Sequence, residues 1–334
     1  ALSLFWALNR PSGARKLVDM VMVFAASLAL AGLAEQQDAG QRRRFAMALA
    51  LGTVAGLILL GEETALGFPL YRLVMGSDNP KLQDLLLSKR SVDAAPLLVW
   101  PAALAFERLG RPLFGIVLAI LFAIASFKLT AASSTLAMVV SFAILAIAWP
   151  RGALAGRLLS IGTVAAFALI IPGAILAYDH LGDHALQVGA LDKQHRFSGG
   201  HRLEIWHFAA EKSLDRPLFG HGINSSRFVP NDGAVSAFQP PDKPVMTLHP
   251  HDGFLQIWVE LGLVGVVLVA SLLMAMLGTV RAWQPRSARF VYASYAAAAV
   301  IAGLAFGVWQ TWWMATLGFT VVACVFLGER AHDA

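Results

Sequence analysis

The sequence predicts an all-α polytopic membrane protein. Three observations carry this. Of 334 residues, 57% are hydrophobic and only 14% are charged, where a soluble domain carries about 25% charged residues. The mean hydropathy is +0.63. The apolar residues also gather into runs close to the length of a bilayer crossing. A chain this poor in charge cannot cover its own surface in water, so its apolar faces meet lipid. That excludes a cytosolic enzyme, a secreted disulfide scaffold and a disordered regulator. The one cysteine, Cys324, sits in an apolar run, which excludes a disulfide and a cysteine-based metal cluster. The net charge of +5 is no nucleic-acid signal, because Lys and Arg in membrane proteins mark cytoplasmic loops.

The elements follow in order. The opening Ala1–Leu8 reads as the tail of an apolar helix, without the basic start and cleavage site of a signal peptide. This leads to the expectation that further helices precede residue 1. A crossing needs about 20 mostly apolar residues. Nine stretches qualify or nearly do: 17–34, 45–60, 94–106, 112–127, 130–149, 158–177, 253–278, 290–308 and 311–328. If they alternate, four basic clusters share one side: Arg42–Arg44, Arg108 with Arg111, Arg151 with Arg157, and Arg281 with Arg286 and Arg289. That side is read as cytoplasmic. Arg10, Arg15 and Lys16 form a fifth cluster that falls outside. The organisation read is one integrated domain. Residues 1–177 hold transmembrane helices with an outer segment near 61–93, 178–252 form a large outer loop, and 253–330 hold the last three spans.

The large loop holds eight of the nine histidines, including His201, His249 and His251. Prolines and glycines break it repeatedly, as in Pro217-Leu218-Phe219-Gly220-His221-Gly222. Between the breaks, Gly200–Leu214 reads as an amphipathic helix with Leu203, Trp206, Ala210 and Leu214 at helical spacing. The loop is therefore read as a folded cap lying on the membrane. Its end, Leu248-His249-Pro250-His251-Asp252, sets His251 at the lipid–water interface before the next span. Glu260 lies within that span, where ionisable groups are costly and usually functional. Gly262 and Gly265 are expected to let a neighbouring helix approach closely. Trp309, Trp312 and Trp313 read as an interfacial aromatic belt.

His251-Asp252, nine further residues and then Gly262-x-x-Gly265 resemble the signature of the O-antigen ligase superfamily. That superfamily joins lipopolysaccharide ligases, O-antigen polymerases and related bacterial oligosaccharide transferases. Its pattern has His, then Asn, Ser or Gln, then nine residues and Gly-x-x-Gly; Asp252 departs at the second position. Arg202-Leu203-Glu204-Ile205-Trp206 resembles the family's Arg-x-x-x-Trp helix, and Pro217–Gly222 its Pro-Leu-x-Gly-x-Gly turn. The resemblance covers about residues 80–330. Three spans before residue 1 would complete the family's count of about twelve. It implies a helical bundle with a mostly helical periplasmic cap, of GT-C-like glycosyltransferase architecture, in the bacterial inner membrane.

What the resemblance implies chemically is inverting transfer of a glycan from undecaprenyl diphosphate to a hydroxyl of lipid A-core, on the periplasmic side. His251 suits the general base, with an unperturbed pKa near ~6.5. Arginine suits the diphosphate, being always charged and bidentate. Arg202 opens the cap helix; Arg90, Lys128 and Arg196 are further candidates for the diphosphate. Asp252, His249, Trp206 and Glu260 are read as supporting. No cofactor and no metal are expected, since no Asp-x-Asp pair lies outside the membrane. The expected partners are the lipid-linked donor, the lipid A-core acceptor and membrane lipids, with a monomeric chain.

Each residue also has a plainer reading. His251 serves as an interfacial polar group, Arg90 and Lys128 snorkel to headgroups, Arg196 binds lipid phosphate, Glu260 packs against an indole, and Trp206 packs the cap on the bundle. Three other functions compete. A polysaccharide polymerase uses the same donor. A transporter would show broken helices or charge near the bilayer centre, and Glu260 is the one candidate. A membrane metalloenzyme would have to build its site from His249-x-His251.

Overall fold

The computed structural model of the chain describes residues 1–67, 69–75, 80–129, 131–191, 198–238, 243–246 and 248–331. The described residues form ten α-helices and no β-strand: α1 Arg10–Glu35, α2 Ala39–Leu66, α3 Pro69–Met75, α4 Pro80–Arg108, α5 Pro112–Lys128, α6 Ala132–Leu191, α7 Ser198–Asp215, α8 Gly253–Val280, α9 Pro285–Leu304 and α10 Thr311–Leu327. Each of the nine apolar stretches read from the sequence lies largely within a helix. Five helices are long and apolar enough to cross a membrane: α1, α2, α6, α8 and α9. α5 and α10 are shorter apolar helices. Leu28, Leu51, Ile161, Leu169 and Leu268 stand exposed along these helices, as lipid-facing side chains do. The chain is thus an all-α, multi-pass membrane protein.

Two expectations about boundaries change. The stretches 130–149 and 158–177 run together in α6 as two helices that meet at a kink, where Arg151 adopts the non-helical φ −143° and ψ 61°, directly after Pro150. No loop separates them. α6 also runs on to Leu191, so the segment expected to leave the membrane at 178 begins as helix. α9 stops at Leu304 rather than 308, and the residues after it have work to do at the candidate site.

The chain divides into two compact units. The first comprises residues 1–23, 160–276 and 302–314. Its core joins Ala174 of α6, Ile205, Phe208, Ala209 and Ala210 of α7, Val229, Val245 and Met246 of the following loops, and Leu255 and Val259 of α8. The expected helix over 200–214 is therefore present as α7, but its inward face differs. Ile205, Phe208 and Ala209 are buried while Leu214 is 56% exposed. The spacing from Leu203 to Leu214 misplaced the stripe because Glu204 and Ser213 also face inward. Glu204 is there to accept from Ser236 Oγ (2.5 Å) and Ala237 N (2.8 Å).

The second unit comprises residues 24–159, 277–301 and 315–334. Tyr292, Leu277, Leu159 and Ala155 centre one of its cores. Three of the basic clusters meet at one end of it. Arg42 and Arg108 donate to carbonyls of Phe326 and Leu327 in the last turn of α10 and of Gly328 just after it. Arg108 and Arg286 both pair with Glu329. Cations at a helix C-terminus are favoured by its unsatisfied carbonyls and its dipole.

Candidate active site

The first unit gathers its polar residues around a break in α8. Gly262 has φ 61° and ψ −161°, which interrupts the helical ladder. The bonds that would join Val259 to Leu263 and Glu260 to Val264 are lost. That leaves two carbonyls and two N–H groups without helical partners, a cost of several kcal/mol each at membrane depth. The Pro217–Gly222 turn supplies all four replacements. His221 N donates to Val259 O at 2.8 Å, and Gly222 N to Glu260 O at 2.8 Å. Leu263 N donates to Pro217 O at 2.8 Å, and Val264 N to Leu218 O at 3.1 Å. A Cβ on Gly220 would stand 2.4 Å from the Glu260 carbonyl carbon, and one on Gly262 would stand 2.6 Å from that of Leu218. The two glycine motifs therefore form one structure. Gly262 does not open a helix–helix seam, as expected from its spacing; it admits a turn into the helix. A Cβ on Gly265 would meet Leu261 of the same helix.

Glu260, fully buried, sits at this break. Its carboxylate accepts from the amides of Asn224 and Ser226, from Ser226 Oγ (2.5 Å), from Gln256 Nε2 (3.0 Å) and from Trp309 Nε1 (2.6 Å). The plainer reading of Glu260, as the partner of an indole, is correct as far as it goes. Trp309, half-buried, thus donates to this acid, and Trp313 is fully buried. Trp312 packs edge-on against Phe306.

Nearly three turns before the break, Asp252 caps α8. Its Oδ1 accepts from Leu255 N at 2.9 Å, which satisfies one of the orphan donors of the first helical turn. This explains why a short polar acceptor follows His251. His251 itself takes a left-handed backbone conformation, φ 56°, uncommon outside Gly, Asn, Asp and His. Its amide donates to His249 Nδ1 at 3.2 Å, and its Nδ1 lies 3.1 Å from Ala305 O. A carbonyl only accepts, so Nδ1 carries the proton there and the basic lone pair falls on Nε2. Arg202, in the second turn of α7, donates from Nη1 to Leu304 O at 2.8 Å. Arg202 and His251 are thus held on consecutive carbonyls, where the chain leaves α9. Trp206, one turn along α7, donates to Pro250 O at 3.0 Å and ties that helix to the His249–Asp252 turn.

Burial sets the charge states of this turn. It pushes Asp252 up to about 7, against which the Leu255 and Phe254 amides pull. It pushes His249 down to about 3, helped by nearby His251 and Arg227. His249 is accordingly neutral and packed on Gly307, with Nε2 3.2 Å from the Gln310 side-chain amide. His201 and His221 are likewise lowered by burial.

The structure brings together His251, Arg202, Asp252, His249, Trp206 and Glu260. Arg196 and the side chain of Arg90 lie outside the described residues. Lys128 ends α5 in the second unit and is exposed. Among the described residues, no group of three His, Cys, Asp or Glu side chains is placed to hold a metal ion. The sequence reading missed Gln256, Gln310 and the carbonyls of Leu304 and Ala305. Gln256 carried a signal: with Glu260 it forms an i, i+4 polar pair inside an apolar span.

The fold and site define a multi-pass membrane protein whose polar centre is built on a broken span and a buried loop. Residues 114–270 match the family model described as O-antigen ligase, a stretch that includes Arg202, His251 and Gly262. A candidate polysaccharide ligase of Rickettsia conorii is 31% identical over 121 residues, covering 36% of this chain and 29% of that protein. A similarly named protein of Rickettsia prowazekii is 35% identical over 121 residues, covering 35% and 29%. One of Rickettsia bellii is 35% identical over 123 residues, covering 36% and 30%. The chain spans under a third of the length of these curated relatives. No solved structure matches. Over residues 114–270 the chain is thus similar to the O-antigen ligase family, and over about a third of its length to these relatives.

Proposed function

We propose that the chain is an inverting glycosyltransferase of the O-antigen ligase type. It moves a glycan from undecaprenyl diphosphate to a hydroxyl of lipid A-core, at the periplasmic face of the bacterial inner membrane. The acceptor oxygen attacks the anomeric carbon opposite the diphosphate. The bond from that carbon to the diphosphate oxygen breaks, and the lipid diphosphate leaves with the electron pair. The acceptor's proton passes to His251 Nε2. Arg202 faces the developing charge on the leaving group, where a guanidinium binds phosphate oxygens through parallel bonds. The leaving group is stable once expelled and the fixed cation is an arginine, so this reading requires neither a general acid nor a divalent metal. Asp252 and Trp206 position His251, while Arg90, Lys128 and Arg196 remain candidates for diphosphate binding elsewhere on its path.

The observation that supports this most is the pairing of Arg202 and His251 on the consecutive carbonyls of Leu304 and Ala305. A base and a phosphate-binding cation need that closeness if they are to serve the two ends of one displacement. The test begins with deletion of the gene and inspection of lipopolysaccharide on a gel. Loss of the long-chain ladder with lipid-linked polymer accumulating is expected. Loss of polymer with one repeat retained would instead assign a polymerase, and an unchanged pattern would refute transfer to lipid A-core. In complementation, His251→Ala is expected to lose ~10²–10⁴-fold of the transfer rate at normal membrane expression, and His249→Ala to lose less. Arg202→Ala should impair donor use more than folding. Activity is expected to survive a chelator; abolition by a chelator and rescue by zinc would turn the histidines into ligands and end this mechanism.

A further inference from the structure

We infer that Glu260 is a positioning residue, which acts through Gln256 and Trp309 on the 305–310 loop and thereby sets His251 and Arg202 in place. The inference rests on the transferase reading above. Its starting point is the chemistry of a carboxylate, which only accepts hydrogen bonds. Glu260 collects donors from three separate pieces of chain. Asn224 and Ser226 come from the loop after the inserted turn, Gln256 from the preceding turn of α8, and Trp309 from the loop between α9 and α10.

The Gln256 bond extends the reach of the carboxylate. With its Nε2 committed to Glu260, Gln256 presents Oε1 to the amide of Val308 at 2.9 Å. The 305–310 loop is therefore held at two points by one acidic group, directly at Trp309 and through Gln256 at Val308. This same loop, with the last residue of α9, presents the carbonyls that hold His251 Nδ1 and Arg202 Nη1. Both proposed reacting side chains thus take their position from a backbone that Glu260 fixes. Nothing else on the described loop ties its amides to α8 in this way except through Gln256. The break at Gly262 serves the arrangement, since it lets the Pro217–Gly222 turn carry Asn224 and Ser226 up to the carboxylate.

Glu260→Gln keeps the shape and replaces one acceptor oxygen by a donor. That amide meets fewest donors on the Oε2 side, where it faces Asn224 N and Trp309 Nε1. The variant therefore releases the loop at Trp309. Trp309→Phe removes the same bond from the other end and keeps Glu260 intact. A displacement near 1 Å at reacting groups costs about 10²-fold in rate.

The experiment measures kcat and KM for transfer from undecaprenyl-diphosphate-linked glycan by the full chain in lipid nanodiscs. Wild type, Glu260→Gln, Trp309→Phe, the double variant and His251→Ala are compared, with folded protein quantified by size exclusion. Positioning predicts that kcat falls about 10²-fold in Glu260→Gln while the donor KM moves less than about threefold. Trp309→Phe should fall in the same sense, and the double variant should be no worse than Glu260→Gln, because both remove one bond. Unchanged kcat in both single variants, or effects that multiply in the double variant, would overturn the proposal. So would losses that track only the amount of folded protein. If Glu260→Gln does not fold, Trp309→Phe alone decides by its kcat. His251→Ala separates the layers: if it is inactive while both positioning variants are fully active, the base survives and the positioning role falls. If His251→Ala is active, the transferase mechanism falls first.

Discussion

His249 and Asp252 flank His251 and titrate abnormally for one reason: each is buried, and burial disfavours whichever form carries charge. Their effects on stability have opposite signs. The ring of His249 is neutral in the fold down to about pH 3 and takes up a proton near ~6.5 when unfolded. Its contribution is complete above that value and is lost as pH falls toward 3. Asp252 holds its proton up to about 7 in the fold, so its ionisation weakens the fold as pH rises through the range from about 4 to 7. The two slopes largely cancel between pH 4 and 6.5, and removing His249 should expose one of them. His249→Gln is expected to melt below the wild type at pH 7.5, through lost packing, and to close that gap by pH 5, where the wild type strains to keep the ring neutral. Thermal unfolding in detergent at the two pH values measures this. A gap that stays constant would mean that the ring is not held neutral.

Elements impose a stricter requirement than single residues, because a broken span must satisfy its backbone from within the protein. The break in α8 is met by four bonds from one turn, and both partners need glycine twice over. Gly220 and Gly262 have φ of 63° and 61°; a Cβ on Gly220 would strike the backbone of Glu260 and Leu261, and one on Gly262 that of Leu218 and Gly220. Gly262→Ala and Gly220→Ala should each cost about 1–3 kcal/mol from strain alone, plus overpacking. Gly278 of the same helix has open space around its Cβ position, so Gly278→Ala should be neutral or slightly stabilising. Fluorescence-detected size exclusion after a heating series compares the three; equal midpoints would refute the docking. This element also marks the limit of what the sequence conveys. The glycine spacing was visible, and so was the His251-Asp252 run, but spacing along one strand of chain cannot say that Pro217–Gly222 fills the break at Gly262. That partnership joins residues some 40 positions apart, and helical periodicity reads only local faces. The same blindness hid Leu304 and Ala305, which act through carbonyls that every residue type possesses. It also hid the bond from Trp309 to Glu260, since an indole suits an interface and a buried acid equally well.

For the whole molecule, composition sufficed to predict a multi-pass helical membrane protein, because too few charges to cover a water-facing surface leaves no other solution. Sidedness rests on a finer argument. Arg42, Arg108 and Arg286 come from distant parts of the chain and converge on Glu329 and the carbonyls ending α10. Basic clusters that meet at one place lie on one side of any membrane the helices cross. The proposed periplasmic site requires that side to be the cytoplasmic one, as the positive-inside rule has it, with the loop after α7 on the other. The chain is well suited to a direct test, since its single cysteine, Cys324, is buried. The wild type should therefore resist a membrane-impermeant maleimide and need no prior cysteine removal. Ala234→Cys, at an exposed position of that loop, is expected to react in intact cells. Arg43→Cys, exposed near the start of α2, should react only after the membrane is opened. The reverse pattern would set His251 on the cytoplasmic face. A periplasmic acceptor would then be out of its reach, however well its Nε2 is aimed.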